Sequence, residues 1–374
     1  MMGGGPGLLP TSQSIDVGLL SRLFADTTNS YKHLFFDALL CVFRDSGFSR
    51  RNISIRELAV GMVAKAWHPI RTFHLSLGPR DQVAAIIDRI SEAMDTFIPT
   101  HRIQSLVSTT LADHRPITQY VQYRLLAPFF AERLRGVPDQ YRNAAIMELA
   151  ASNFDAVRPL YRLPDEATIE LHPAWAEYFA SNLPIVAGWA ELHWVGYLQS
   201  RNPTVPGITE KAGAPERRAP LKAQTRYWKT ALINLGEEPK CIYSGRPLDL
   251  DSMELDHFLP WTFVCHDALW NLVPVVPDAN RSKGNCLPHP DYMDAFVRIQ
   301  HQALVAARGA LTVREWDKVS SAFIGDLRIV ETDILDHDAL GQAYGLTVRP
   351  QLDIARSIGF VPDWRCPQDL ALLK

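Results

Sequence analysis

The segment from Cys241 to Asn285, CIYSGRPLDLDSMELDHFLPWTFVCHDALWNLVPVVPDANRSKGN, has an internal pattern unlike the rest of the chain. Its parts MELDHFLPW and WNLVPVV are short runs of residues that favour β-strands. The part DANRSKGN begins with Asp278, a candidate N-cap for a helix. The segment therefore predicts a strand, a loop, a second strand and a helix.

Three polar side chains come together in this arrangement. His257 is expected to end the first strand, Asn271 to open the second, and Asn280 to lie in the first turn of the helix. We therefore expect one small pocket that is lined by an imidazole and two amides.

The segment resembles the HNH, or ββα-metal, nucleases. The resemblance lies in the Asp256-His257 pair, in Asn271, and in the run from Asn280 to Lys283. Its spacing and its NRSKGN tail look especially like the HNH domain of the RNA-guided CRISPR effector nucleases, which also lacks zinc. The rest of the chain does not resemble such an effector. SYK at Ser30 to Lys32 and RNPTVP at Arg201 to Pro206 more loosely resemble the flanks of bacterial stand-alone HNH proteins. The resemblance implies a nuclease active site without RNA guidance.

Phosphodiester hydrolysis needs residues of the types found here. A neutral imidazole can accept a proton from water near neutral pH, so His257 is the candidate general base. Mg²⁺ prefers oxygen ligands and keeps several waters, so few protein ligands suffice. Asp256 and Asn280 are the candidate metal ligands, for Mg²⁺ or Mn²⁺.

The remaining candidates surround this centre. Asn271 belongs to the predicted catalytic set, where its amide is expected to bridge the loop to the strand and to fix the geometry of the pocket. Arg281 and Lys283 follow directly on the helix and are candidate ligands for the nucleic-acid phosphates.

Many HNH proteins hold a structural zinc with two Cys-x-x-Cys pairs. The four corresponding positions here are Cys241, Ser244, Val276 and Ala279. One thiolate cannot form a tetrahedral zinc site, and the valine and the alanine offer no ligand atom. We therefore expect apolar packing in place of a structural zinc, with Cys241 as a small buried residue.

Composition limits the remaining possibilities. The 374 residues include 38 Lys and Arg against 41 Asp and Glu, so the net charge of −3 gives no overall attraction to nucleic acid. The five cysteines are odd in number and scattered, which favours reduced thiols. The sequence shows no signal-peptide pattern and no apolar run long enough to cross a bilayer. These features predict a cytoplasmic protein with no membrane segment.

The sequence predicts a mainly α protein with a small α+β module. Its expected parts are a disordered lead-in (1–15), an α-helical domain of unknown role (16–200), a basic linker and helix (201–236), the HNH nuclease module (237–290) and a helical C-terminal region (291–374). The basic residues between Arg201 and Lys229 fit either a solvated loop and helix face or a phosphate-contacting approach. Tyr227 and Trp228 within this stretch favour the core.

Two classes of function follow from the resemblance. The first is a metal-dependent DNA endonuclease, for which the resemblance suggests a setting in restriction or anti-phage defence. The helical domain is then the candidate surface for a homodimer or a partner protein. The second is a nucleic-acid-binding or assembly protein with an inert HNH module. An RNase remains open, because metal-assisted hydrolysis does not by itself distinguish the sugars.

Overall fold

The protein is described by a computed structural model that covers residues 9–92, 98–215 and 218–368. The chain is mainly α-helical with two small sheets, as the sequence predicts. It divides into an N-terminal unit (residues 1–203 and 208–215) and a C-terminal unit (residues 204–207 and 216–374). Among the described residues, none of the helices is both long enough and apolar enough to span a bilayer.

The N-terminal unit consists of helices around a three-stranded antiparallel sheet with the strand order β1-β3-β2. Its elements are α1 (Val17–Leu20), α2 (Tyr31–Asp45), β1 (Asn52–Ser54), α3 (Ile55–Arg71), α4 (Val83–Glu92), α5 (Thr100–Thr110), α6 (Arg115–Thr118), α7 (Val121–Arg124), α8 (Asp139–Ser152), α9 (Phe154–Val157), β2 (Tyr161–Arg162), β3 (Thr168–Leu171), α10 (Pro173–Arg201) and α11 (Ile208–Lys211). The sheet is absent from the sequence prediction, because strands of two to four residues are too short to display alternation.

Helices α2 and α3 form the centre of this unit. Leu34, Phe35 and Leu39 of α2 are buried. A side chain at Gly61 of α3 would place its Cβ 2.8 Å from the Cβ of Ala38, so glycine permits the close approach of the two helices.

The expected disordered lead-in at 1–15 requires a correction. Residues 1–8 lie outside the described residues, but Leu9 and Ile15 are buried. The hydroxyl of Tyr178 donates a hydrogen bond to the carbonyl of Pro10 at 2.8 Å. The chain is therefore packed from Leu9 onward, because two apolar side chains in this short stretch reach the core.

The C-terminal unit contains a two-stranded antiparallel sheet surrounded by helices. Its elements are α12 (Lys222–Ile233), β4 (Glu254–His257), α13 (Trp261–Val264), β5 (Leu272–Val275), α14 (Pro277–Lys283), α15 (Tyr292–Ala310), α16 (Val313–Leu327) and α17 (His337–Ser357). The order β4, loop, β5, α14 is the predicted strand, loop, strand and helix. Tyr227 and Trp228 of α12 are buried, as expected for core residues.

Helix α14 begins differently from the prediction. Val276 occupies the N-cap position and Pro277 is the first helical residue, so Asp278 lies inside the first turn and the predicted cap is wrong. Proline has no amide hydrogen and has a fixed φ, which suits it to the first helical position. Asp278 still places a negative charge near the helix N-terminus, where it is favourable.

Side chains of α15, α16 and α17 form hydrogen bonds with the residues at the start of β5. Gln300 of α15 donates a hydrogen bond to the carbonyl of Leu272 at 2.8 Å, and the Tyr344 hydroxyl of α17 donates one to the carbonyl of Trp270 at 2.9 Å. The indole of Trp270 donates to the carboxylate of Asp326, on α16, at 2.7 Å. These bonds fix the backbone on both sides of Asn271, one of the predicted site residues.

Candidate active site

Strand β4 and helix α14 meet through two pairs of polar side chains. Glu254 and Asp256 are two residues apart on β4 and share one face of the strand. Asn280 and Lys283 are three residues apart on α14 and share one face of the helix. The amide of Asn280 donates to Glu254 at 2.7 Å, and the ammonium of Lys283 lies 3.0 Å from the Asp256 carboxylate.

Asp256 is 3% exposed and lies beneath the site surface. One of its oxygens accepts a hydrogen bond from the hydroxyl of Tyr243 at 2.7 Å, and Lys283 contacts both oxygens. Burial raises the pKa of the Asp256 carboxyl, while the charge of Lys283 and the hydrogen bonds from Tyr243, Lys283 and the His257 backbone oppose this shift. The carboxylate is thus fixed from two sides.

Lys283 does not lie where a phosphate ligand is expected. Its side chain is 0% exposed, and its ammonium also donates to the carbonyl of His257 at 2.7 Å. The prediction of a phosphate contact at Lys283 is therefore incompatible with this geometry, because the ammonium is buried and already bonded to Asp256 and to the His257 carbonyl. Removal of one partner from a buried ion pair costs about 3–5 kcal/mol because the other charge is left buried and unpaired, so loss of Lys283 alone would destabilise the junction of β4 and α14.

His257 ends β4 and is held by a carboxylate. Its Nε2 lies 2.8 Å from Oδ1 of Asp267, in the loop between β4 and β5. When this carboxylate accepts the Nε2 proton, Nδ1 carries the lone pair of the neutral imidazole. Burial lowers the pKa of His257 to about 4, the charge of Arg218 adds to this effect, and Asp267 opposes it. The side chain is neutral at about pH 7 and is oriented as a proton acceptor.

Arg218 covers the imidazole. Its Nη2 lies 3.4 Å from each ring nitrogen of His257 and 3.2 Å from the Asp267 oxygen that holds the ring. The guanidinium also lies over the Trp261 ring, 4.9 Å from the centroid. The side chain is partly exposed, so its cation is available at the mouth of the site.

Asn271 joins the loop after β4 to the start of β5. Its amide oxygen accepts a hydrogen bond from the backbone N–H of Leu259 at 2.8 Å, and its amide nitrogen donates to the Leu259 carbonyl at 2.9 Å. The side chain is completely buried. It therefore fixes the backbone at Leu259, two residues after His257.

Comparison with protein families supports the interpretation of this geometry. The family model described as HNH endonuclease matches residues 241–289. Residues 241–289 form an HNH-family domain. This match supports a nuclease-type function and implies binding to nucleic acid. Searches among curated proteins and among solved structures found no match to the chain.

The oxygen atoms of the HNH domain fit a hard divalent cation. Asn280 uses its amide nitrogen for Glu254, which leaves its amide oxygen for a cation, and Glu254 and Asp256 supply carboxylates. Mg²⁺ binds through one or two carboxylates together with waters and substrate phosphate, so a complete protein cage is not required. Residues 9–92, 98–215 and 218–368 contain no cluster of three or more His, Cys, Asp and Glu side chains arranged to hold a metal.

Arg281 lies on the exposed side of α14 in the HNH domain. Its guanidinium pairs with Asp278, and Arg246 lies 3.7 Å from the other oxygen of the same carboxylate. Asp278 thus holds two exposed cations close together. Arg281 stays a candidate phosphate ligand.

The four positions that correspond to zinc ligands are packed or polar. Cys241 and Ala279 belong to the hydrophobic core of the C-terminal unit, and Val276 packs against that core. The backbone N–H of Cys241 donates to the carbonyl of Arg246 at 2.9 Å, which closes the turn through Ser244. Burial of Cys241 agrees with the prediction.

Sequence reasoning missed four residues that shape the HNH site: Glu254, Tyr243, Asp267 and Arg218. A signal existed for Glu254, which precedes Asp256 by two residues and therefore shares its strand face. Arg218 lies in the basic stretch between Arg201 and Lys229, which fits either a solvated surface or a phosphate-contacting role. Asp267 and Tyr243 lie in irregular segments, where periodicity gives no information about direction.

Proposed function

We propose that the protein is a metal-dependent DNA endonuclease that hydrolyses phosphodiester bonds at the HNH domain. The observation that carries this proposal is the hydrogen bond between His257 and Asp267, at 2.8 Å, at the end of the strand that also carries Glu254 and Asp256. A carboxylate behind an imidazole orients the ring and stabilises the imidazolium that forms when it accepts a proton. The proposed role of His257 is therefore that of the general base toward the attacking water.

A divalent metal would be held by Asp256, Asn280 and Glu254. When bound, it supplies the positive charge that stabilises the transition state and the leaving oxygen. We assign Mg²⁺ or Mn²⁺, because every proposed ligand atom is an oxygen.

Two arginines are the proposed phosphate contacts. Arg218 contacts both His257 and Asp267, so a phosphate bound by this guanidinium would lie next to the general base. Arg281 and its neighbour Arg246 lie on the exposed side of the HNH domain, where they suit the adjoining phosphates. A phosphate that binds Arg218 would compete with Asp267 for the guanidinium.

A second candidate function, an inert HNH module in a nucleic-acid-binding or assembly protein, is favoured by a different observation. Both oxygens of Asp256 contact Lys283, and Arg218 covers His257. An arrangement that stays closed in this way would bind nucleic acid without cutting it. Our choice of an active enzyme, of DNA over RNA, and of a setting in restriction or anti-phage defence rests on the resemblance to bacterial HNH nucleases.

Incubation of supercoiled plasmid with the full chain and Mg²⁺ or Mn²⁺ tests the proposal. We expect cleavage that EDTA stops and that His257→Ala lowers by about 10²-fold or more. One pocket holds one base and one metal site, so a monomer should produce the open-circular form before the linear form. Parallel reactions with duplex DNA, single-stranded DNA and RNA decide the substrate. Binding of nucleic acid without cleavage under all of these conditions would favour the inert module.

A further inference from the structure

The C-terminal segment from Phe360 to Cys366, here called the C-terminal clasp, lies beside the end of the HNH domain. The backbone N–H of Leu287 donates to the carbonyl of Val361 at 2.8 Å, and the N–H of Trp364 donates to the carbonyl of Leu287 at 2.9 Å. The N–H of His289 donates to the carbonyl of Trp364 at 2.9 Å. The clasp thus pairs with the chain that follows α14 through three backbone hydrogen bonds.

The Trp364 side chain extends from the clasp to an aromatic cluster. Its ring meets the Tyr243 ring edge to face, with 5.1 Å between centroids and an interplanar angle of 89°. Tyr292 meets Tyr243 in the same way at 5.0 Å and 83°. Edge-to-face pairs of this kind add to the stability that burial of the rings provides. Tyr243 is therefore held between two aromatic rings.

Tyr243 connects this cluster to the proposed metal site. Its hydroxyl donates to Oδ2 of Asp256 at 2.7 Å. The indole N–H of Trp364 lies 3.4 Å from the hydroxyl of Ser282, the residue before Lys283 on α14. Trp364 thus contacts the support of Asp256 on one side and the helix turn that carries Lys283 on the other.

Independent attachments hold the clasp in place. Arg365 pairs with Asp291 at 2.7 Å and donates to His289 at 2.9 Å. The N–H of Cys366 donates to the hydroxyl of Tyr292 at 3.0 Å. These bonds keep the backbone of Trp364 fixed. A residue can position a buried carboxylate only if it is itself held in place.

We propose that Trp364 is a positioning residue for the nuclease site. It fixes the ring of Tyr243, whose hydroxyl in turn fixes the Asp256 carboxylate in the orientation that binds the cation. This inference rests on the proposed function. It also gives the C-terminal clasp a role in the site, although the clasp lies outside residues 241–289, which match the HNH family.

Binding of Mn²⁺ to the full chain, followed by electron paramagnetic resonance, tests the proposal without reference to cleavage. Trp364→Leu removes the ring but keeps apolar volume, and it should weaken Mn²⁺ binding about tenfold, the lower end of the usual effect of a residue behind the ligands. Trp364→Phe retains a ring beside Tyr243 and should restore most of the affinity. Val348→Ala, a buried position on α17 in the same core, controls for a general loss of stability.

Tyr243→Phe distinguishes positioning from simple packing, because it deletes only the hydroxyl that holds Asp256. We expect Trp364→Leu to add little to the loss of affinity in this background, since both changes act through one bond. In cleavage, Trp364→Leu should lower kcat about tenfold and leave KM for DNA unchanged.

Several results would overturn the proposal. Wild-type Mn²⁺ affinity in Trp364→Leu would do so. The proposal would also fail if Trp364→Leu lowered the Mn²⁺ affinity of the Tyr243→Phe variant as much as it lowers that of the wild type. If Trp364→Leu does not fold, Tyr243→Phe alone decides, and wild-type affinity there contradicts the proposal. A wild-type chain that neither binds Mn²⁺ nor cuts would refute the proposed function instead. Hydrogen exchange then decides the role of Trp364, and unchanged protection of the Glu254–His257 amides in Trp364→Leu would refute it.

Discussion

The two units each bury a histidine whose pKa is strongly lowered, but the two side chains have different surroundings. His33 on α2 stacks on Phe24 at 4.3 Å, and neither of its ring nitrogens has a hydrogen-bond partner among residues 9–92, 98–215 and 218–368. His257 on β4 is 7% exposed, close to the 5% of His33, but its Nε2 faces the carboxylate of Asp267.

The pKa values of the two histidines show that burial by itself does not define a catalytic residue. Burial lowers the pKa of His33 to about 3, and the charges of His193 and Lys32 add to the effect. Burial likewise lowers the pKa of His257 to about 4. Both rings are neutral at about pH 7, yet only the ring of His257 has a carboxylate that can stabilise the protonated form. Hydrogen-bond partners, and not the size of the pKa shift, separate the candidate base from the core histidine.

The largest expected effect tests the comparison directly. His257→Ala should lower the cleavage rate by about 10²-fold or more, because general base catalysis contributes about 10²–10⁴-fold. His33→Phe, the matched change in the N-terminal unit, keeps an aromatic ring beside Phe24 and should leave the rate unchanged. Plasmid cleavage with excess enzyme measures both. Equal rates for the wild type and His257→Ala would remove His257 from the mechanism.

Asp267→Asn sharpens the comparison by removing the feature that His33 lacks. The amide can still accept the Nε2 hydrogen bond, but it no longer stabilises an imidazolium, so we expect a loss of about 10–100-fold in kcat. Asp251→Asn is the matched control, because this exposed carboxylate of the same unit pairs only with Lys229 among the described residues. If the two variants cut equally fast, the carboxylate behind His257 has no catalytic role.

The metal ligands are expected to give a smaller change than the base. Asn280→Ala removes the amide oxygen offered to the cation and the hydrogen bond to Glu254, and it should raise the Mg²⁺ concentration for half-maximal cleavage about tenfold. Asn234→Ala, which deletes an exposed amide after α12, is the control. An unchanged Mg²⁺ dependence in Asn280→Ala would place the cation elsewhere.

The smallest effect concerns stability and applies to His33. A folded-state pKa of about 3 lies below the unfolded value of about 6.5, so the unfolded chain binds more protons in between and stability falls as the pH is lowered through this window. From about pH 7.5 to about pH 6 the loss should be about 0.8 kcal/mol. His33→Phe should remove this part of the pH dependence, which urea unfolding at both pH values measures. An identical pH dependence in both proteins would indicate that His33 is solvated.

Several elements of the fold could be predicted from the sequence because local periodicity specifies them. The helical patterns after Pro290 appear as α15 and α16, and the short β-favouring runs appear as β4 and β5. The small sheet of β1, β2 and β3 could not be predicted, because its pairing joins residues such as Ile53 and Ile169 that are far apart in sequence.

From the sequence alone, Asp256 and His257 could be placed at the end of one strand and Asn280 on the following helix, because local periodicity specifies both elements. The tertiary structure decided how these groups are paired. Lys283 turns inward to Asp256, and Asp267 reaches His257 from an irregular loop. An ion pair or a hydrogen bond depends on the distance and direction between two atoms. The period of a strand or helix specifies these within one element. It does not specify them between a strand, a loop and a helix, so only the tertiary structure decides the pairing.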